Sequence, residues 1–262
     1  MKVHTKWLAV LGLLAAIVLS GCGFITKLQA RNLLNKGVTA FTEQKYTEAA
    51  KYFEDSIRLD PTFVTPRLYL ATAYTSQFVP GSPDPKSAEM AKKGIEAFQQ
   101  VIDLDKANPN VNAMVSIASL YYQLNDTEKS KEWCRNILQV DPKNAEALYR
   151  IAVIDYDAAN KKSGLQGENV SLLSPEEKAV CLKNIQEGLA ALEQAISIKP
   201  DYFDAMEYQN LLLREQAKFE LDEKAKAELL TKADVIAQKS LVLRLKAQEE
   251  EAKKPKKIAT AK

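Results

Sequence analysis

The hexapeptide Ser56-Ile57-Arg58-Leu59-Asp60-Pro61 returns three times further along the chain, as Val101-Ile102-Asp103-Leu104-Asp105-Lys106, Ile137-Leu138-Gln139-Val140-Asp141-Pro142 and Ala195-Ile196-Ser197-Ile198-Lys199-Pro200. Each copy reads as a helix end. Proline has no amide hydrogen to donate and disfavours helix in the residue before it, so Pro61, Pro142 and Pro200 each stop a helix. The second copy has Lys106 instead, and Pro109 stops the chain slightly later. From Asp60 to Asp105, Asp141 and Lys199 the steps are 45, 36 and 58 residues. These equal a 34-residue period with 11, 2 and 24 residues added. A fixed period of this size is the mark of a repeat architecture.

Two antiparallel helices pack closely only where small residues sit at the crossing and large apolar ones fill the sides. The first pair meets this with Leu33, Gly37, Ala40, Ala49, Phe53 and Ser56, and the third with Met114, Ile117, Ala118, Tyr121, Ser130, Cys134 and Ile137. The second keeps Leu70, Ala71, Tyr74, Gly94 and Phe98, and the fourth Leu148, Ile151, Ala152, Gly188, Leu192 and Ala195. Period and positions together resemble the tetratricopeptide repeat. The resemblance implies an all-α solenoid of helix pairs over residues 30–247. Arg67 and Asp155 stand where that pattern wants bulk, with Tyr156 next to Asp155 expected to supply it.

A fifth pair, about Phe203 to Lys218 and Asp222 to Leu245, is expected to cap the array with a polar outer face, because nothing stacks on it. Its segment Tyr208 to Ala217, YQNLLLREQA, resembles the end of the array in a group of bacterial repeat lipoproteins. Residues 248–262 hold Lys253-Lys254-Pro255-Lys256-Lys257 and too few apolar groups to fold, so they read as a charged, disordered tail. The two long insertions, Thr75 to Ala88 and Asp157 to Leu173, both fall between the first and second helix of a pair. Asp84-Pro85 and Ser174-Pro175-Glu176-Glu177 read as the caps that restart helix after them.

The start of the chain sets the compartment. Lys2 and Lys6 precede an apolar run from Trp7 to Leu19, and Leu19-Ser20-Gly21-Cys22 resembles the lipobox of bacterial lipoproteins. Residues 1–21 are therefore expected to leave as a signal peptide. Cys22 then carries the lipid, and residues 22–29 form a lipidated N-terminus and short linker. Two or more acyl chains make a stable anchor where one is marginal. Gly23 is not the aspartate of an inner-membrane retention signal, so the expected address is the outer membrane, facing the periplasm.

Loss of residues 1–21 takes Lys2 and Lys6 and leaves 34 basic against 34 acidic residues. Such a chain has no broad positive field for nucleic acid. The one histidine, His4, leaves with the signal. No histidine then remains for a triad or a metal site, two thiols are too few for structural zinc, and no phosphate loop appears. No catalytic residue, metal, cofactor or small-molecule substrate is expected. Register places Cys134 and Cys181 too far apart to bridge, so both thiols are expected free, with Cys134 buried.

The leading function is a scaffold that holds envelope proteins or peptides in a concave groove. The rivals are an assembly factor for an outer-membrane machine, of the secretin-pilotin or β-barrel-assembly kind, and a regulator of a cell-wall enzyme. The family resemblance implies that the first helix of each pair lines the groove. Its inward positions carry over to Tyr69 and Thr72, Ser119 and Tyr122, Tyr149, Arg150 and Tyr156, and Tyr208, with Arg150 placed to fork onto a partner carboxylate. Leu34, Val38, Leu68 and Thr72 stand where the family's carboxylate clamp needs lysine and asparagine, so that mode is not expected. The insertions are expected to form a lip over the groove.

Overall fold

The computed structural model describes residues 23–253. The expected signal peptide, Cys22 and residues 254–262 lie outside the described residues. Among those described the structure is helical, without strands. Helix α1 covers residues 23–42. It is followed by α2 (Tyr46–Leu59), α3 (Val64–Thr75), α4 (Pro85–Leu104), α5 (Val111–Gln123), α6 (Thr127–Val140), α7 (Ala145–Ser163), α8 (Pro175–Ile198), α9 (Phe203–Phe219) and α10 (Glu223–Lys253). They group into two compact units that divide within α6, after Ser130. The fold is the all-α solenoid class.

The recurring hexapeptide ends helices as expected. Asp60, Asp105 and Lys199 each follow a helix with φ between −141° and −128° and ψ between 84° and 90°. The next helix then opens at Phe63, Asn144 or Tyr202, whose amide closes a turn onto Asp60, Asp141 or Lys199. Asn110 and Asn144, one period apart, cap α5 and α7 by accepting from the amides of Ala113 and Ala147.

Within the first and third pairs the turn between helices is the same object twice. Lys45 donates to the Ala40 carbonyl and Gln44 to that of Phe41, just as Asp126 donates to Tyr121 and Asn125 to Tyr122. This is the double hydrogen bond of a Schellman ending, and it needs a left-handed residue. Gln44 (φ 62°) and Asn125 (φ 60°) supply it.

In the second and fourth pairs the insertions replace that turn. The first leaves α3 at Thr75 and is pinned where the Ser87 hydroxyl donates to the Val79 carbonyl and accepts its amide. Asp84 caps α4 through the Lys86 amide. The second is shorter as a loop than the sequence suggests: Asp157–Ser163 continue α7, because Ala158, Ala159 and the lysines favour helix. Ser174 then forms a full capping box with Glu177 ahead of α8.

Packing in the first unit rests on small-against-large crossings. A Cβ on Gly37 would lie 2.4 Å from the Phe53 ring, and one on Gly94 2.4 Å from Thr75 Cγ2. Phe53 is wholly buried, with Ala30, Ala49 and Ala71 around the same core. Ser56 and Ser130, also buried, donate to the Ala30 and Ala118 carbonyls. Arg67 does not break the core: its guanidinium donates to the Pro61 carbonyl and to Gln100 Oε1.

In the second unit Gly188 faces Leu212 and Asp155, and Leu192, Met206 and Leu212 fill the interior. Cys134 and Cys181 are both free and buried, and burial pushes the Cys134 thiol up to about 12.

Two boundaries and one face differ from the sequence reading. Residues 23–29, expected as a linker, are helical and continuous with α1. Helix α10 runs on through Lys253, past the expected end at 247, since Ala247-Gln248-Glu249-Glu250-Glu251-Ala252 are all strong helix formers. The outer face of the last pair is not uniformly polar either. Only Ala233 and Ser240 of α10 are buried, and Val235, Leu241, Val242 and Leu245 stay exposed, because a helix of this length contacts little beyond α9.

Candidate functional site

In the first unit, α3 and α5 bring two of the expected groove residues to one place. Thr72 and Ser119 line a depression of about 340 Å³ together with Thr75, Phe78, Ser116 and Gln123, over a floor of Phe98 and Leu120. Thr72 and Thr75 are one turn apart on α3, and Ser116, Ser119 and Gln123 fall on one stripe of α5. The hydroxyls of Thr72, Thr75 and Ser116 donate back to the carbonyls of Leu68, Thr72 and Asn112. Their oxygens therefore face the depression as acceptors, suited to a peptide's amides. Phe78 comes from the first insertion, so that segment contributes to the wall.

Tyr69, half-buried on α3, also packs within the repeats. It stacks on Phe53 at 5.4 Å and meets the edge of Phe41 at 6.2 Å, so it cements the first and second pairs. Tyr122 is half-buried on α5.

In the second unit, four tyrosines form a continuous row. Tyr149 lies 5.3 Å from Tyr202 and 5.4 Å from Tyr208, and Tyr208 lies 5.8 Å from Tyr156, the last two contacts edge-to-face. Tyr149 and Tyr156 are seven residues apart on α7, hence on one face, and Tyr208 meets them from α9. All four rings are half-buried. Burial raises the phenol pKa of each, that of Tyr202 to about 12, and nearby carboxylates add to it: Asp204 at Tyr149, Tyr202 and Tyr208, Glu146 at Tyr202, and Asp157 at Tyr156 and Tyr208. The Lys199 ammonium sits 4.6 Å over the Tyr202 ring.

Arg150, expected in the groove, lies close to an acidic neighbour on α7. Its side chain is 18% exposed, and its guanidinium lies 3.8 Å from Glu146 one turn earlier on the same helix. Tyr202 is the member of the row that periodicity missed, because it precedes α9 as the cap residue rather than lying on a first-helix face. Phe78 was missed for a similar reason, since it belongs to a loop.

The off-pattern polar residues of the second unit answer one another. Asp155 on α7, buried, pairs with Lys131 on α6, and Lys131 also reaches Glu187 on α8 at 3.0 Å. Arg135 meets the same Glu187 at 2.9 Å. Asp155 Oδ2 has no partner, and burial outweighs Lys131 to push this carboxyl up to about 6. Further along, buried Glu215 on α9 accepts from Ser163 and from Lys218, whose ammonium also donates to Asn160 and to the Gly164 carbonyl. That knot ties the second insertion to α9. Asn210 holds Arg214, which pairs with Asp234 on α10.

Among the described residues, no group of three or more His, Cys, Asp or Glu could hold a metal ion, and no helix is long and apolar enough to cross a membrane. Stacked helix hairpins, with side-chain faces on their first helices, define the class as an α-helical repeat protein. The family model of the tetratricopeptide repeat matches residues 30–63 and 111–144, the first and third pairs.

No curated protein matches the sequence. Among solved structures the chain is similar to a MamA protein, at 16% identity over 89% of this chain and 98% of that one with a TM-score of 0.57. It is also similar to MamA from Desulfovibrio magneticus RS-1, at 13% over 80% and 96% with a TM-score of 0.54. A third is YrrB, described as a TPR protein with an unusual peptide-binding site, at 14% over 83% and 90% with a TM-score of 0.50. At these identities the likeness is one of fold.

Proposed function

We propose that this chain is a lipid-anchored scaffold of the bacterial cell envelope, which holds protein or peptide partners on the first-helix faces of its repeats and acts by holding rather than by chemistry. The depression between α3 and α5 carries this reading: acceptor hydroxyls line it, aromatic rings floor and wall it, and two residues expected there from the repeat register meet in it. The described peptide site of YrrB, on the same fold, agrees with a peptide-sized occupant. The anchor rests on the Leu19-Ser20-Gly21-Cys22 motif, and an outer-membrane, periplasm-facing address on Gly23 after it.

Two measurements test the proposal. Arginines at Thr72 and Ser119 together fill the depression with charge, so the double variant should lose the partners that tagged full-length protein isolates from detergent-solubilised envelopes, with its helical circular dichroism intact. Undiminished capture by the folded variant places binding elsewhere. Separately, Cys22→Ala should abolish metabolic palmitate labelling and release the protein from the membrane pellet. A variant that pellets as before, with the wild type unlabelled, removes the anchor from the account.

A further inference from the structure

The two first-helix faces differ in charge. Every residue lining the α3–α5 depression is uncharged. The tyrosine row of the second unit is instead flanked by carboxylates: Glu146 at the start of α7, Asp157 beyond Tyr156, and Asp204 in the first turn of α9, all on exposed residues. Two cationic groups lie beside them, Arg150 on the row's own helix, close to Glu146, and Lys199. Glu215, whose charge also reaches Tyr156, is buried and met by Lys218. The balance at the surface of the row is acidic.

Lys199 shows what such a face accepts. It belongs to the connection before α9, yet its ammonium sits over the Tyr202 ring. An aromatic face attracts a cation through its quadrupole, and a neighbouring carboxylate adds to the attraction. The rings of Tyr149, Tyr156 and Tyr208 extend that same surface along α7 and α9, with Asp204 and Asp157 beside them. Edge-to-face packing fixes the rings against one another, so little side-chain entropy is lost on binding.

Resting on the scaffold reading above, we infer that the tyrosine row of α7 and α9 is a docking face for an extended partner segment carrying lysine or arginine, whose cations lie over the rings and beside Asp204 and Asp157. This is the opposite charge preference from one in which Arg150 captures a carboxylate. Recognition is split accordingly: the α3–α5 depression takes uncharged backbone, and the tyrosine row selects for basic side chains.

The test is fluorescence anisotropy of the full-length protein with two labelled synthetic peptides of about 12 residues, alternating lysine with leucine or glutamate with leucine. The lysine peptide should bind at least about tenfold more tightly than the glutamate peptide, a difference of about 1.4 kcal/mol, and its affinity should fall with added salt. Asp204→Asn with Asp157→Asn, both exposed positions, should weaken the lysine peptide by about tenfold and should not weaken the glutamate peptide. Tyr208→Phe keeps the ring and should bind as the wild type does, whereas Tyr208→Leu keeps apolar bulk without the quadrupole and should bind several-fold more weakly.

Equal binding of both peptides, or a lysine peptide indifferent to the double asparagine variant, overturns the inference. In that event the scaffold reading stands or falls separately, on envelope capture by the Thr72 and Ser119 variant, which alters no residue of the tyrosine row.

Discussion

Lys131→Met is expected to lower the unfolding free energy by about 3–5 kcal/mol at neutral pH, the usual cost of stripping one partner from a buried ion pair. The Lys131 side chain is 9% exposed and that of Asp155 2%, and the ammonium is the only cation in direct contact with Asp155 among the described residues. Without it a carboxylate with one oxygen already partnerless stays buried between α7 and α8.

The pH dependence carries a definite sign. The folded pKa of Asp155, about 6, lies above its ordinary value of 3.8, so the proton stabilises the fold and this contribution is lost as pH rises through that window. Glu187 runs the other way. Burial acts to raise its pKa, but Arg135 and Lys131 outweigh that and hold it low, so its contribution is present at neutral pH and lost in acid.

Lys131→Met removes the group that opposes burial at Asp155, and the deficit relative to wild type should therefore be larger at pH 8 than at pH 5. Denaturant unfolding at both values checks it. The charge-free pair Lys131→Met/Asp155→Leu should recover most of the loss, since apolar replacement of a buried ion pair is often neutral or stabilising. A single-variant loss below about 1 kcal/mol would show that water reaches the pair.

Phe53→Ala should cost about 3–5 kcal/mol, as expected for emptying a wholly buried aromatic site. The ring fills the space that Gly37 leaves open and supports the stacked ring of Tyr69, so both the first pair and its seat against the second are loosened. The pairing with Gly37 makes the prediction sharper. Gly37→Ala alone should destabilise, because its methyl would lie 2.4 Å from the ring. In the Phe53→Ala background the clash is gone, and the same change should become neutral or gain up to about 1 kcal/mol from helix propensity. A double-mutant cycle by thermal or urea unfolding reads this as strong coupling. Simple additivity of the two changes would mean that the helices part to accommodate a side chain there.

What could be read from the residues alone follows from the range of the forces involved. Helix ends at Asp60, Asp105 and Lys199, caps at Asp84 and Ser174, and the crossing glycines 37, 94 and 188 are local or periodic signals, and each is found in place. Asp155 looked like an error in the pattern. Its partner Lys131 stands 24 positions earlier, on another helix, and only the stacking of α6, α7 and α8 brings them together. Likewise Glu215 on α9 is explained by Ser163, 52 residues away.

Of the groove residues, Thr72 and Ser119 meet in one depression, and the tyrosines of α7 and α9 meet in one row. The same register also selected Tyr69, half-buried and stacked on Phe53, since periodicity gives a face and not what lies against it. The length of α10 was missed at its end, where a run of glutamates reads as solvated tail by composition and as helix by propensity.

The Schellman turns at Gln44 and Asn125 show where this architecture can grow. In the second and fourth pairs the same join is occupied by longer segments, while Gly94 and Gly188 still make the close crossings of their pairs. Lengthening a closed loop is inexpensive, about 0.6 kcal/mol for each doubling. The joins after Phe41 and Tyr122 are therefore natural ports for grafting: an epitope, a tag or a second recognition loop spliced there would leave the helix pairs stacked, and the array would become a display frame whose cargo can be exchanged repeat by repeat.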